Sequence, residues 1–304
     1  MNTATLLPGI ALIALGMGAA QASQVYRWTD AQGHAQYADR VDERVPAQDV
    51  ARLEVPVEAA VVARLRVEQG HAGALAWVDN LLAGPIEVML HADGGGSLAS
   101  DPPLPARGTV PAQSGALLAR IPRGNPQLRV VAVPGTPNAR PRDVEYAYPL
   151  QTASLRVQQA WDGGFSHADD ENRHAVDFAA PVGTPVLAAR DGVVMQSEAG
   201  FGDAAPGEDD EALVARANFI RVLHDDGTMA LYAHLQPGGV LVRLGQRVRR
   251  GQVIGLSGHT GRSTAPHLHF VVQANRGMRL HSVPFRMFGP QGILRFGSAQ
   301  AGGD

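Results

Sequence analysis

The sequence predicts an all-β protein built from two β-rich parts, the second an antiparallel sheet domain. Three observations lead there. Short Val-, Ile- and Leu-rich runs recur along the chain. Gly- and Pro-rich loops separate them, drawing on 35 Gly and 21 Pro in 304 residues. Only Asp209 to Ala217 suggests a helical period. With 45% hydrophobic residues the chain can build a packed core, and its length suits roughly two domains.

From the N-terminus, an apolar stretch runs from Leu6 to Ala20 and meets Ala20-Gln21-Ala22, a small-x-small pattern. Residues 1–22 are read as a signal peptide, although no Lys or Arg precedes the stretch; an uncleaved anchor is the alternative. The stretch is too short for a confident span, and no other segment reaches spanning length. Residues 23–52 follow as a short β-hairpin module, with Asp30 to Gly33 as the turn between alternating runs. This run resembles a small module of unknown function found at the N-terminus of many proteobacterial envelope proteins, which implies an exported location.

Residues 53–143 form the sandwich-like part and its linker. Ala74 to Val78, Ile86 to Leu90 and Leu128 to Val133 read as strands, and Thr136 to Asp143 as the linker. His71 and His91 lie here with nothing nearby to complete a metal set. Residues 144–304 form the second domain, where Pro185 to Ala189, Val193 to Met195, Phe219 to Leu223 and Met229 to His234 are strands between Gly-Thr-Pro, Asp-Gly and Gly-Gln turns. A polar, acidic insertion spans Gly200 to Asp210.

Composition removes several classes of function. A net charge of −3 leaves no electrostatic footprint for nucleic acid. All 26 basic residues are arginine, so Schiff-base lysines and lipoyl or biotinyl attachment are excluded, although Gly183 to Val186 and Gly251 to Gly255 look similar to turns of that barrel. A coding bias towards arginine accounts for this without a functional cause. With no cysteine, disulfides, thiolate nucleophiles and cysteine-zinc sites are absent, and any metal must be held by His, Asp or Glu.

The chemistry concentrates in His267-Leu268-His269-Phe270-Val271-Val272. On a strand, residues i and i+2 face the same way, so both imidazoles project from one face, where they can supply a metal ligand and an acid/base group together. Further segments accompany them: Ser166-His167, Asn172-Arg173-His174-Ala175-Val176-Asp177-Phe178, Leu231-Tyr232-Ala233-His234-Leu235 and the glycine-flanked Val248 to Gly255.

Over roughly residues 161 to 285 these segments, in this order, resemble the lysostaphin/LytM-type zinc peptidases of the M23 family. The resemblance implies a LytM-type antiparallel sheet and one Zn²⁺ per chain. By position it implies that Asp177 and His269 are metal ligands and that His234 and His267 are catalytic. The common family pattern has a histidine four residues before the aspartate, but here that residue is Arg173. His167, in the loop upstream, is the preferred first ligand, because a loop can fold back; His174, three residues before Asp177, would point to the opposite face of a strand and is the alternative. His259 stands where the family usually has asparagine, and Ala265 where it often has glycine. Tyr232, which by alternation shares a strand face with His234, is a candidate substrate contact, as are His259, Arg262, Ser263 and Thr264; Asn218 is a candidate backbone support.

Two imidazoles and one carboxylate leave a fourth zinc position for water, whose pKa the metal lowers toward about 7. No His-Glu-x-x-His motif supplies a glutamate base. His234 and His267 would therefore share proton abstraction and stabilisation of the tetrahedral intermediate, with activity declining below about pH 6.5. The resemblance implies an endopeptidase acting on peptide cross-links or stems of bacterial peptidoglycan, in the periplasm or secreted. The alternative is an inactive LytM-like protein that binds wall or activates another hydrolase.

Overall fold

The computed structural model describes residues 21–29, 35–38, 46, 51–57 and 61–296, except 94–97, 123–125, 153, 204–212, 214–215 and 290–291. The apolar stretch Leu6 to Ala20, the hairpin turn Asp30 to Gly33 and most of Asp209 to Ala217 lie outside these residues. The described chain is all-β. Among its residues, no helix is long and apolar enough to cross a membrane.

Strand β1 (Gln21–Thr29) pairs antiparallel with β2 (Ala35–Ala38) on one side and β3 (Ala51–Val57) on the other. Six strands follow: β4 (Ala63–Gly70), β5 (Gly73–Asn80), β6 (Ile86–Ala92), β7 (Ala106–Val110), β8 (Gly115–Ile121) and β9 (Leu128–Pro134). They form two three-stranded antiparallel sheets, ordered β4-β5-β8 and β7-β6-β9. The period of two is plain in β5, where Ala74, Ala76, Val78 and Asn80 are buried and the residues between them are half-exposed. Ile86, Val88 and Leu90 do the same from β6, and the two inner faces share one core.

The remaining strands are β10 (Glu145–Ala147), β11 (Val157–Gln159), β12 (Val176–Ala179), β13 (Pro185–Leu187), β14 (Gly192–Glu198), β15 (Asn218–Leu223), β16 (Met229–Val240), β17 (Arg247–Val248), β18 (Val253–Ser257), β19 (His267–Asn275), β20 (Leu280–Ser282), β21 (Arg286–Gly289) and β22 (Gly292–Leu294). The main antiparallel sheet runs β11-β12-β19-β16-β15-β14-β17; β18 joins β13 and β16, and β20 joins β19. One pair departs from the antiparallel expectation: β10 lies parallel to β21.

The two faces of this sheet have different fates. Val176, Phe178, Leu268, Phe270, Ala230, Tyr232, Ile220 and Val222 point to one side and form the main core with Tyr146, Phe285 and Phe296. Their alternating neighbours occupy the other side in rows set by the register. His269, Ala233 and Phe219 stand across from one another, then Val271, Leu231 and Arg221, then Gln273, Met229 and Leu223. The first row belongs to the site described below. At the last row Met195, Met229 and Leu280 join the core of the sandwich, with Leu223 packed against it. In the middle row the buried Arg221 donates to the side-chain carbonyls of Gln196 and Gln273, and burial pulls its pKa down to about 10.

The backbone where the sandwich meets the sheet calls for glycine. Gly135 has φ of +85°, and a Cβ there would sit 2.9 Å from Met229 Cε. The segment from Gly135 to Arg140 is pinned to the large sheet and its loops: Asn275 Nδ2 donates to Gly135 O, Arg276 Nη1 to Ala139 O, and Arg140 N to Asp226 O. Glu87 of the sandwich, buried, accepts from Arg107 and from Met278 N at 2.6 Å.

Candidate metal centre and groove

Asp177 and His269 face each other across the β12–β19 ladder, a direct register pair. Their side chains share a sheet face, and Asp177 Oδ1 lies 2.9 Å from His269 Nδ1. The third member comes from the loop before β12. Asp169 Oδ1 accepts from the backbone of Glu171 and Asn172, an Asx turn that reverses the chain, while His167 N donates to Gly163 O. The loop thus folds back and delivers a fully buried His167, whose Nε2 lies 3.3 Å from Asp177 Oδ1.

The ring of His167 is oriented by the backbone. Its Nδ1–H donates to Ala160 O at 2.9 Å, which leaves a lone pair on Nε2. That Nε2 is buried and has no hydrogen-bond partner. One ligand atom from each of His167, Asp177 and His269 falls within 4.8 Å of the others, and among the described residues no other such group forms. Two imidazole nitrogens and a carboxylate oxygen suit Zn²⁺, and a buried nitrogen without a partner is what a metal would satisfy. Burial raises the cost of a charged Asp177, but the close imidazoles of His167 and His269 outweigh it and hold the carboxyl well below the usual carboxylate range. Burial likewise opposes a proton on His167; the Asp177 carboxylate outweighs it, and the pKa rises above the ordinary value.

His174 lies elsewhere. Its Nδ1 is 3.0 Å from Ser282 Oγ and its ring stands edge-on to Trp161 at 5.1 Å, so it is absent from the group around Asp177. His174 sits in the turn before β12 rather than on the strand, and its backbone N donates to Ser282 Oγ, which turns the ring away from Asp177.

His267 and His234 complete the cluster. His267 Nε2 lies 3.7 Å from Asp177 Oδ1, and the His267 and His234 rings are 4.6 Å apart. The Nδ1 of each is within 2.7 Å of a backbone carbonyl, Ala265 O for His267 and Thr260 O for His234. A nitrogen this close to a carbonyl oxygen carries the proton, so each Nε2 holds a lone pair. Burial lowers the pKa of both, that of His234 to about 3 with further help from the neighbouring imidazoles. Both imidazoles therefore stay neutral to lower pH than a free imidazole does.

His234 reaches the groove through a bulge. Phe219 pairs with Ala233 and Asn218 with Leu235, so His234 is an extra residue in β16, with φ of +61°. Thr260 Oγ1 donates to Leu235 O and accepts from Asn218 N, while Asn218 Nδ2 donates to Phe201 O. These bonds hold a backbone that costs a non-glycine residue on the order of 1–2 kcal/mol. The bulge also corrects the expectation for Tyr232. Its side chain shares no face with His234: it is fully buried in the main core, and its hydroxyl accepts from Ala189 N at 2.8 Å.

The cluster opens into a groove of about 780 Å³ between the loop of His167 and the loop 258–266. Arg262, Ser263 and Thr264 line it, whereas His259 does not and instead approaches Ser263. Sequence reasoning missed Phe165, Gln158 and Asn172 on the opposite wall. Phe165 is 53% exposed and its ring lies 4.8 Å from the Arg262 guanidinium, a cation–π contact between the two walls. An exposed aromatic beside Ser166-His167 was the available signal. Thr260 was also missed: its carbonyl orients His234 and its hydroxyl ties Asn218 to Leu235.

Residues 171–280 match the family described as Peptidase family M23, and residues 12–66 match a Domain of unknown function (DUF4124). "Peptidoglycan DD-endopeptidase ShyA" of Vibrio cholerae serotype O1 is 41% identical over 97 residues, covering 32% of this chain and 19% of that protein. "Glycyl-glycine endopeptidase ALE-1" of Staphylococcus capitis is 42% identical over 105 residues, 34% of this chain and 25% of that protein. The match thus spans about a fifth to a quarter of these relatives. Among solved structures, the antimicrobial peptidase lysostaphin from Staphylococcus simulans is 32% identical with a TM-score of 0.30, covering 40% of this chain and 43% of that one.

Proposed function

We propose that this chain, whose residues 171–280 match peptidase family M23, is a zinc-dependent endopeptidase that hydrolyses peptide cross-links or stems of bacterial peptidoglycan outside the cytoplasm. One observation carries the reading: a His167–Asp177–His269 donor set beside two neutral histidines whose Nε2 lone pairs are free. The relatives named above as peptidoglycan and glycyl-glycine endopeptidases support the substrate class.

His167, Asp177 and His269 would hold the metal. Bound there, zinc supplies Lewis acidity towards water and the scissile carbonyl. The chain's own residues do the rest. Asp177 stays ionised, which neutralises one positive charge at the site. His234 and His267 stand ready to accept a proton at Nε2, and their closeness lets only one imidazole be protonated at a time. The one that takes the proton then has an N–H to give to the leaving amine, while the other stays neutral. The carbonyls of Thr260 and Ala265 hold both rings during the transfer. The facing walls of the groove align an extended peptide over the cluster.

The direct test is digestion of purified wall fragments with and without a chelator, with products read by mass. Peptide-bond cleavage that chelation abolishes and zinc restores is expected. Intact fragments with zinc-loaded protein would overturn the proposal.

A further inference from the structure

A serine hydroxyl offers one proton and two lone pairs, and at Ser263 each has a partner. Ser263 Oγ donates to Ala265 O at 3.0 Å. One lone pair receives the Nδ1–H of His259 at 2.8 Å. The other lies 3.1 Å from His267 Nδ1, whose proton is shared between this hydroxyl and Ala265 O at 2.7 Å. The hydroxyl is then saturated within the protein, although its residue lines the groove. His234, by contrast, has only the carbonyl of Thr260 at its Nδ1.

We propose that Ser263, backed by His259, is a positioning residue that fixes the ring and tautomer of His267, and that neither residue is a substrate contact. The chain runs His259 to Ser263 to His267. It keeps the His267 Nδ1 proton turned away from Asp177 and the Nε2 lone pair turned toward it, at 3.7 Å. His259 acts at the outer end: its N–H occupies the Ser263 lone pair that would otherwise draw water or let the hydroxyl rotate. Arg262 and Thr264 are left as the polar groups of this loop that face a substrate. The catalytic consequence rests on the zinc-peptidase reading; the wiring itself rests on the geometry.

Two measurements test it. With zinc-loaded protein and wall fragments, Ser263→Ala lowers kcat on the order of 10–100-fold, with KM and zinc content within about twofold of the parent. Ser263→Thr, which keeps the hydroxyl, restores most of the rate. His259→Ala lowers kcat several-fold, and His259→Asn, whose amide N–H replaces Nδ1–H, recovers it. The double variant Ser263→Ala/His259→Ala is no slower than Ser263→Ala alone, since His259 acts through Ser263. On zinc-free protein, imidazole nitrogen shifts show one His267 tautomer in the parent and faster exchange of its Nδ1 proton in Ser263→Ala. A raised KM at unchanged kcat, additive losses in the double variant, loss of zinc, or His267 signals indifferent to Ser263→Ala would each overturn the proposal. Should the parent cleave nothing, the peptidase reading fails, and the zinc-free measurement still decides the wiring.

Discussion

Asp177 Oδ1 lies 2.9 Å from His269 Nδ1 and 3.3 Å from His167 Nε2, so one carboxylate oxygen is the meeting point of a strand pair and a loop. The strand pair fixes two donors by register, and the Asx turn at Asp169 fixes the third. Replacing any one of the three leaves two ligands, too few for a stable structural or catalytic zinc site.

Zinc content therefore separates the two candidate first ligands. His167→Ala is expected to weaken zinc binding at least 100-fold, whereas His174→Ala retains about one equivalent, read by metal analysis after dialysis. The reverse pattern would refute the assignment. His234→Ala and His267→Ala should keep zinc yet lose about 10²–10⁴ in kcat.

The acid limb of activity follows from the buried imidazoles. Burial holds the pKa of His234 at about 3 and lowers that of His267. Their neutral forms, needed to accept a proton, persist as pH falls through about 6.5 and are lost only at lower pH. A kcat/KM profile at saturating zinc should show its acid midpoint clearly below 6.5; a midpoint at or above that value counts against two buried bases.

His224 predicts a separate effect on stability. It is 3% exposed, donates Nδ1–H to Asp191 O, and burial holds its pKa at about 4 against 6.5 in the unfolded chain. Between these values the unfolded state binds the proton and the native state does not. The stability is thus fully present above about 6.5 and is lost as pH falls through 4, a change of roughly 3 kcal/mol. Urea unfolding of the parent should weaken by about this much more than that of His224→Asn between pH 7 and pH 4. Equal losses in the two proteins would exclude His224 as the cause.

Gly135→Ala should destabilise the protein by about 1–3 kcal/mol, because its φ of +85° is costly for alanine and the methyl would press on Met229. A lower unfolding midpoint in thermal melts is the expected result, and an unchanged midpoint would contradict a left-handed backbone at Gly135.

What was legible in the sequence was local. His267 and His269 share a face because they are two apart on a strand, and the alternation in Ala74 to Val78 marks a half-buried β5. Reasoning by alternation failed at Tyr232 and His234, where a single extra residue with positive φ breaks the period. The run His224-Asp225-Asp226-Gly227 marks a hairpin turn, yet the packing of Tyr146 and Asp191 around His224 is tertiary. The groups that orient the rings of His234 and His267 are the main-chain carbonyls of Thr260 and Ala265, which no side chain signals.

The seat of the sandwich on the sheet sets a length limit at the groove. Ala233, in the row of the metal cluster, and Met229, in the row covered by the sandwich, are four residues apart on β16. At about 3.3 Å per residue this is roughly 13 Å of strand. Arg221 and Val271, in the row between, are themselves buried, so a peptide lying along the strands in that direction would have room for fewer than about four extended residues. On the proposed function, a longer polymer would have to cross the strands, entering and leaving over the flanks of the sheet.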